Sequence, residues 1–358
     1  MKKTLLAVAI PAVLLAGNVN AAEIYSSENG SVDFYGSLRA KLTKTPDADP
    51  KLDDGSSRAG LAGTFGVADN FDVFGNVEFS VRPGELKNRY SYIGANGSWG
   101  TVKIGKQYVT ADDLWGVDNS YFFGGTHIVE GAVSGGVHDS AVRYTYENDV
   151  IYLDATYAFP EDGANAEVAE LFGRVNVAGF DITAGVSKAE KFNAEQKDVE
   201  SRDEQGNLVK TTYPESTFED TFHTVWVERS FGDLYVGAQY ASSDIERKNG
   251  TEGLERTGYA LALSYSLSDK ASVYGAYEFS DWELKNLAID GKSKGEADVA
   301  YVGSVYKFNS YFRVYGEAAY VDGSTSIGLT NNKNDMSVKP GTAYDGEMLY
   351  AIGARVSW

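Results

Sequence analysis

Few residues in this 358-residue chain are placed for covalent chemistry. His138 and Ser140 stand two apart, a spacing that puts both on one face of a strand and a base within reach of a nucleophile. No orienting third residue accompanies them, so a hydrolase stands as an alternative that loss of lipid hydrolysis in Ser140→Ala would support. His127, His138 and His223 are too scattered for zinc and lack neighbours at metal-ligand spacing. With no cysteine, disulfide frameworks and thiolate sites are removed as well. The 39 glycines form no phosphate loop or dinucleotide fingerprint, and no cofactor is expected. The remaining chemistry is electrostatic. Arg39, Lys41, Arg58, Arg82, Arg89 and Arg143 fall in one phase of an alternating pattern, so strands would present them as a ladder of positive charge on one wall.

The elements that must hold this ladder are strands. Phe34, Gly36, Leu38, Ala40 and Leu42 share one face of the first, against Asp33, Tyr35, Ser37, Arg39 and Lys41; Tyr259, Leu261, Leu263, Tyr265 and Leu267 repeat the pattern far downstream. Seven short polar turns separate such blocks: Ala68-Asp69-Asn70, Gly97-Ser98-Trp99, Glu147-Asn148-Asp149, Ala178-Gly179-Phe180, Phe231-Gly232-Asp233, Ser268-Asp269-Lys270 and Asn309-Ser310. Between them lie eight longer charged or Gly-rich segments, near 44–55, 83–88, 107–138, 160–167, 188–220, 243–255, 281–296 and 323–346. Fifteen connections make sixteen strands, an even number with short turns at one end and long loops at the other. Aromatics gather near strand ends, as in Tyr90, Tyr92, Tyr144, Tyr146, Tyr157 and Phe159, while charges sit mid-strand on the polar face. An all-β, antiparallel transmembrane barrel with a wet interior follows, since lipid tolerates no unpaired sheet edge. A soluble sandwich alternates too, but explains neither the girdle nor the charged face.

Residues 1–21 read as a secretory leader: Lys2 and Lys3, an apolar run from Leu5 to Ala16, and Val19-Asn20-Ala21 before the cut. Its apolar run is too short to span a membrane as a helix, so residues 22–358 must insert by strands. Removing the leader's two lysines takes the formal charge from −19 to −21, which excludes nucleic acid as a partner. The anomaly is Lys106 to Tyr146, long and without helical or heptad period; loops of this length are usually functional, and residues 107–138 are expected to fold inward and narrow the lumen. The acidic outer loops could also bind divalent cations or bridge to lipopolysaccharide.

Several short motifs, taken together, carry a family likeness. Ala22-Glu23-Ile24-Tyr25, Val32-Asp33-Phe34-Tyr35-Gly36, Ser57-Arg58-Ala59-Gly60-Leu61, Ile104-Gly105-Lys106-Gln107 and Phe123-Gly124-Gly125 make the chain resemble the trimeric general diffusion porins of Gram-negative outer membranes. The resemblance implies a homotrimeric channel for small hydrophilic solutes and ions, with acids on the third external loop facing a basic wall. It places Asp118 as the loop acid, with Asp112, Asp113 and Glu130 as further acids, and adds Lys106 to the wall. Tyr121-Phe122 stands where the family carries Pro-Glu, so an aromatic narrows the passage by bulk. Trp358 resembles the terminal aromatic read by the barrel assembly machinery. The second loop, from Arg82 to Lys87, is shorter than the latch the family uses between subunits. With the acidic loops, a cation-preferring pore is expected; a closed adhesion barrel, which would pass no stepwise current, is the other alternative.

Overall fold

The computed structural model describes residues 21–46, 48–82, 84–125, 136–160, 167–194, 197–202, 208–213, 216–248, 250–286, 293–324, 328–332, 335–339 and 343–358. The expected leader, apart from Ala21, lies outside these residues, as do Glu130 and His127. Among the described residues sixteen strands form one antiparallel barrel: β1 (Gly30–Lys44), β2 (Arg58–Ala68), β3 (Phe71–Arg82), β4 (Glu85–Gly97), β5 (Gly100–Tyr108), β6 (Val137–Glu147), β7 (Ile151–Ala158), β8 (Glu167–Val177), β9 (Phe180–Ala194), β10 (Ser216–Phe231), β11 (Leu234–Arg247), β12 (Gly253–Ser266), β13 (Ala271–Lys285), β14 (Lys294–Lys307), β15 (Phe312–Ser324) and β16 (Ala343–Ser357). Each pairs with the next in sequence. The ring closes where β16 pairs with β1, Ser357 opposite Ser37 and Tyr350 opposite Lys44.

Closure involves a short strand ahead of β1 as well as β16. The strand Ala22–Ser27 pairs with the first half of β1, continuing the line that β16 occupies along its second half. Gly36 and Trp358 exchange backbone hydrogen bonds of 2.9 and 3.1 Å at the junction. No stave of the barrel is left with an open edge at this seam, as a hydrocarbon solvent requires.

All seven sequence turns fall between staves at one end. At one of them Ala178 and Gly179 both take left-handed backbone angles, φ 54° and 81°, the two-residue geometry that matches the twist of paired strands. The other end departs from expectation. The segment near 83–88 shrinks to the two residues between Arg82 and Glu85, and those near 243–255 and 281–296 shorten to 248–252 and 286–293. Strands that project past the lipid meet water on both faces, so the ladder continues there without the apolar alternation that marks a stave. The long segments carry their own pairing: Lys197–Arg202 with Leu208–Tyr213, and Gly328–Asn332 with Asp335–Lys339.

The solvent pattern is that of a soluble protein turned inside out. Leu38, Leu61, Ile93, Ile104, Leu261, Val302 and Ile352 point outward and are 41–68% exposed, whereas Ser37, Glu78, Glu170, Glu278 and Glu317 are buried inside. An apolar belt of that extent is stable only against lipid. Tyr157 and Phe159 lie on the outer girdle, 38% and 43% exposed. Tyr90 and Tyr92 do not: they stand opposite Glu78 and Asn76, on the inner face of β3, and belong to the lumen.

Candidate functional site

The segment between β5 and β6 runs inside the barrel. It opens with a single turn, α1 (Thr110–Asp113), and the wall then holds it by its backbone. Glu170 on β8 accepts from Ala111 N at 3.0 Å, Gln239 on β11 from Val117 N at 3.0 Å, and Glu278 on β13 from Gly125 N at 2.8 Å. Glu317 on β15 accepts from Tyr121 N and Phe123 N at 2.9 and 2.7 Å, and from the Tyr274 hydroxyl at 2.8 Å. A loop has no sheet partners of its own, so its buried N–H groups need such acceptors. Apolar contacts reinforce them. Val117, 1% exposed, packs with Phe172, Phe222 and Trp226, and Phe123 sits against the cluster of Tyr274, Val299 and Tyr301. Burial of a valine of this size contributes about 2 kcal/mol. The inner wall from β8 to β15 is therefore apolar and aromatic where the loop covers it, and not uniformly charged.

This path decides which acids face the passage. Asp118, the residue the resemblance favours, accepts from Ser120 N at 2.8 Å and from the Tyr301 hydroxyl at 3.0 Å, with Gly124 close by. It braces the loop on the wall and lines a small space between them, not the open passage. Asp112 lines the same space and accepts from Gly136 N; burial pushes its carboxyl up. Asp113 is the loop acid that reaches the open side, where it pairs with Arg143 at 2.6 Å. Tyr121 lies flat on Tyr315, ring centroids 4.2 Å apart, and Phe122 lies 5.4 Å from the same ring. Gly353 makes room for this stack: a Cβ there would come within 2.4 Å of Tyr315. Gly124 and Gly125 form the bend beside Asp118, Gly125 with φ 75°.

Opposite the loop, β16 and β1 to β5 leave their inner faces bare. They enclose a cavity of about 300 Å³ whose lining includes Ser37, Arg39, Arg58, Lys103, Asp113 and Arg355. Arg58 and Arg89 flank Glu78, at 3.9 and 3.2 Å, and Arg89 also donates to the Tyr108 hydroxyl at 3.0 Å. Arg89 reaches the lumen through a bulge, since the register skips it between Glu78–Tyr90 and Phe79–Asn88. Lys41 shares the phase of Arg39 one rung further out. Arg82 sits at the rim, 4.0 Å from Asp54 with its side chain 56% exposed.

Two members of the expected ladder are corrected. Arg143 points inward but is 4% exposed and enclosed by Asp113 and Asp154, so it anchors the loop and presents no open charge. Lys106 lies in the outward phase of Ile104, opposite Ser91, and pairs with Asp139 at 2.5 Å. Lys103, three residues earlier, falls on the opposite face by plain alternation and is the lysine that faces the cavity; the bulge in this hairpin lies on β6, where Asp139 and Ser140 together stand opposite Lys106. We expect Lys106→Ala to leave the current–voltage relation unchanged, and a selectivity shift as large as that of Arg58→Ala would return it to the lumen. The same bulge separates His138, which stands opposite inward Gln107, from Ser140, which precedes inward Ala141; the two do not share a face, and the hydrolase geometry is lost.

Sequence reasoning missed Arg313 and Arg355. Phase could have found Arg355, because an outward series Tyr350, Ile352, Ala354, Val356 makes residue 355 inward. It also missed the wall acceptors Glu170, Glu278 and Glu317, whose partners lie up to 196 residues away.

A closed sixteen-stranded barrel with an apolar belt, a polar lumen and an inserted third loop defines a membrane channel of the outer-membrane type. The family model for Gram-negative porins matches residues 5–326, and the chain belongs to that family. It is an outer-membrane protein. The porin-like protein H of Photobacterium profundum is 28% identical over 91% of this chain and 96% of its own length. The solved structure of in-vitro folded OmpT, an outer membrane protein of Vibrio cholerae, superposes with a TM-score of 0.80 at 33% identity, over 94% of this chain and 100% of that one. A trimer form of OmpT matches at 0.78, with 33% identity over 92% of this chain and 100% of that one.

Proposed function

We propose that the protein is a non-enzymatic, water-filled channel for passive diffusion of small hydrophilic solutes and ions, with its narrowest point between the inserted loop and the bare wall of β16 and β1 to β5. The observation that carries this is the loop itself, fastened across one side of the lumen by Glu170, Gln239, Glu278 and Glu317 while the other side stays open around Arg39 and Arg58. Asp113, Arg39, Lys41, Arg58, Arg89 and Lys103 set its field, and Tyr121 with Phe122 supplies bulk.

The channel prefers cations. A formal charge of −19, rising in magnitude to −21 once residues 1–21 are removed, is carried partly on external segments such as Asp244, Glu246 and Glu255, and concentrates cations at the mouth. That potential decays over about 8–10 Å near physiological salt, so the preference falls as salt rises. Reversal potentials across a planar bilayer under a salt gradient are the test: cation preference at low salt that shrinks at high salt is expected, and anion preference at low salt would refute it. The working unit is a homotrimer, supported by the trimer form of the similar OmpT; stepwise currents in threes are expected. Trp358, directly after the last stave, serves recognition by the barrel assembly machinery, and the acidic outer segments face lipopolysaccharide.

A further inference from the structure

Three arginines lie side by side across the seam of the barrel. Arg313 on β15 stands directly opposite Arg355 on β16, and Arg355 directly opposite Arg39 on β1. Like charges placed directly across strands repel, with β-carbons about 4.5–5.5 Å apart, so a bare row of three costs stability. Among the described residues no carboxylate forms an ion pair within 4.0 Å of any of the three. The side-chain bonds they do make use one edge only. Arg39 Nε donates to Ser37 Oγ at 3.1 Å and Arg355 Nε to Ser357 Oγ at 3.0 Å, which fixes both planes and leaves the terminal N–H groups directed to the lumen.

The surroundings extend the row into a pocket. One rung outward, Tyr315, Gly353 and Lys41 stand in register above Arg313, Arg355 and Arg39. Gly353 contributes no side chain, and the Tyr315 ring, stacked on Tyr121, and Phe122 fill the space a Cβ would take there, so aromatic surface bounds the row on its outer side, with Lys41 on the neighbouring strand. Arg58, on β2 opposite Ser37, joins Arg39 and Arg355 in lining one cavity, where Glu78 stands 3.9 Å from its guanidinium. The inserted loop brings no described acid to this row, because Asp118 and Asp112 are turned to the wall and Asp113 is bound to Arg143.

We propose that the row Arg313, Arg355 and Arg39, with Lys41 and Arg58, is a saturable binding site inside the channel for a small dianion bearing carboxylate or phosphate oxygens. Guanidinium forks grip such oxygens in pairs, and two or three forks in a row match two carboxylates of a short dicarboxylate or the oxygens of one phosphate. A single-charged halide has neither the geometry nor the charge to bridge them. The site rests on the reading of the lumen as an open passage and adds to it: the acidic mouth governs the flux of simple ions, and the row retains a dianion that has passed it.

Two measurements separate the site from the channel. Titration calorimetry of the folded protein in detergent, with inorganic phosphate and with succinate, is expected to show saturable binding at constant ionic strength, and chloride none. In a bilayer the same two anions are expected to interrupt the potassium current briefly and saturably. Arg355→Gln and, separately, Arg313→Gln should each raise the half-saturating concentration about tenfold, the effect of removing a charged hydrogen-bonding partner. Arg355→Lys should recover part of the loss, because a point charge lacks the fork, and Lys106→Ala on the outer wall should change nothing. Heat-modifiable gel migration verifies that each variant is folded. Phosphate and succinate acting no differently from chloride, or binding that survives in both glutamine variants, would overturn the site. Calorimetric binding in a protein that passes no current would leave the site standing and overturn the channel instead.

Discussion

Replacing Glu317 by alanine is expected to release residues 121–123 from the wall and convert a steady open channel into one that flickers among sub-states. One carboxylate accepts two loop N–H groups and the Tyr274 hydroxyl. Hydrogen bonds to a charged acceptor contribute roughly 1.5–3 kcal/mol each, and an alanine leaves the donors without a partner in a covered site. Losing even one such contribution raises the released population about tenfold or more. The Tyr121–Tyr315 stack and the Gly125–Glu278 bond remain, so the loop loosens in the middle and keeps its ends. Glu317→Gln retains one acceptor oxygen and is expected to fall between the two. Single-channel noise analysis is the measurement; open-channel noise in Glu317→Ala equal to wild type would mean that apolar docking alone fixes the loop.

The second large effect concerns stability. Asp154 is fully buried and collects Arg143 Nε at 2.9 Å and Nη2 at 2.7 Å, Thr110 Oγ1 at 2.7 Å and the Tyr152 hydroxyl at 2.7 Å. Asp154→Ala strands the Arg143 guanidinium, itself 4% exposed, with Asp113 as its remaining partner. Breaking a buried pair on one side costs about 3–5 kcal/mol, whereas replacing both charges by apolar groups of similar volume is often neutral. The temperature at which the folded gel species converts to the unfolded one should drop markedly in Asp154→Ala and recover in the double variant Arg143→Met, Asp154→Leu. That double variant also frees Asp113, so its conductance tests the loop's first turn separately. An unchanged melting temperature in Asp154→Ala would show that Asp113 suffices to hold the arginine.

The strand count, the turns, the outward apolar faces and the inward phase of Arg39, Arg58 and Lys41 were legible in the sequence because they are local. A two-residue period and a turn such as Ala178-Gly179 are written in adjacent residues, and the membrane requires the period to persist from stave to stave. Loop ends were less legible, since polar strands beyond the lipid look like loops when alternation is the only guide.

What the tertiary structure alone decided is where the other charges point. Two bulges, at Arg89 on β4 and at Asp139–Ser140 on β6, each insert one residue, bringing Arg89 into the lumen and separating His138 from Ser140; a strand pattern without its partner's register cannot reveal such a slip. The chemistry of the loop acids depends on acceptors and donors far along the chain, so the residue that the family resemblance singled out, Asp118, ends against Tyr301 while Asp113 takes the open side. The arginine row has the same origin. Arg39 and Arg355 are separated by almost the whole chain and meet only because a barrel in lipid must close on itself, and that closure assembles a concentration of positive charge that neither strand carries alone.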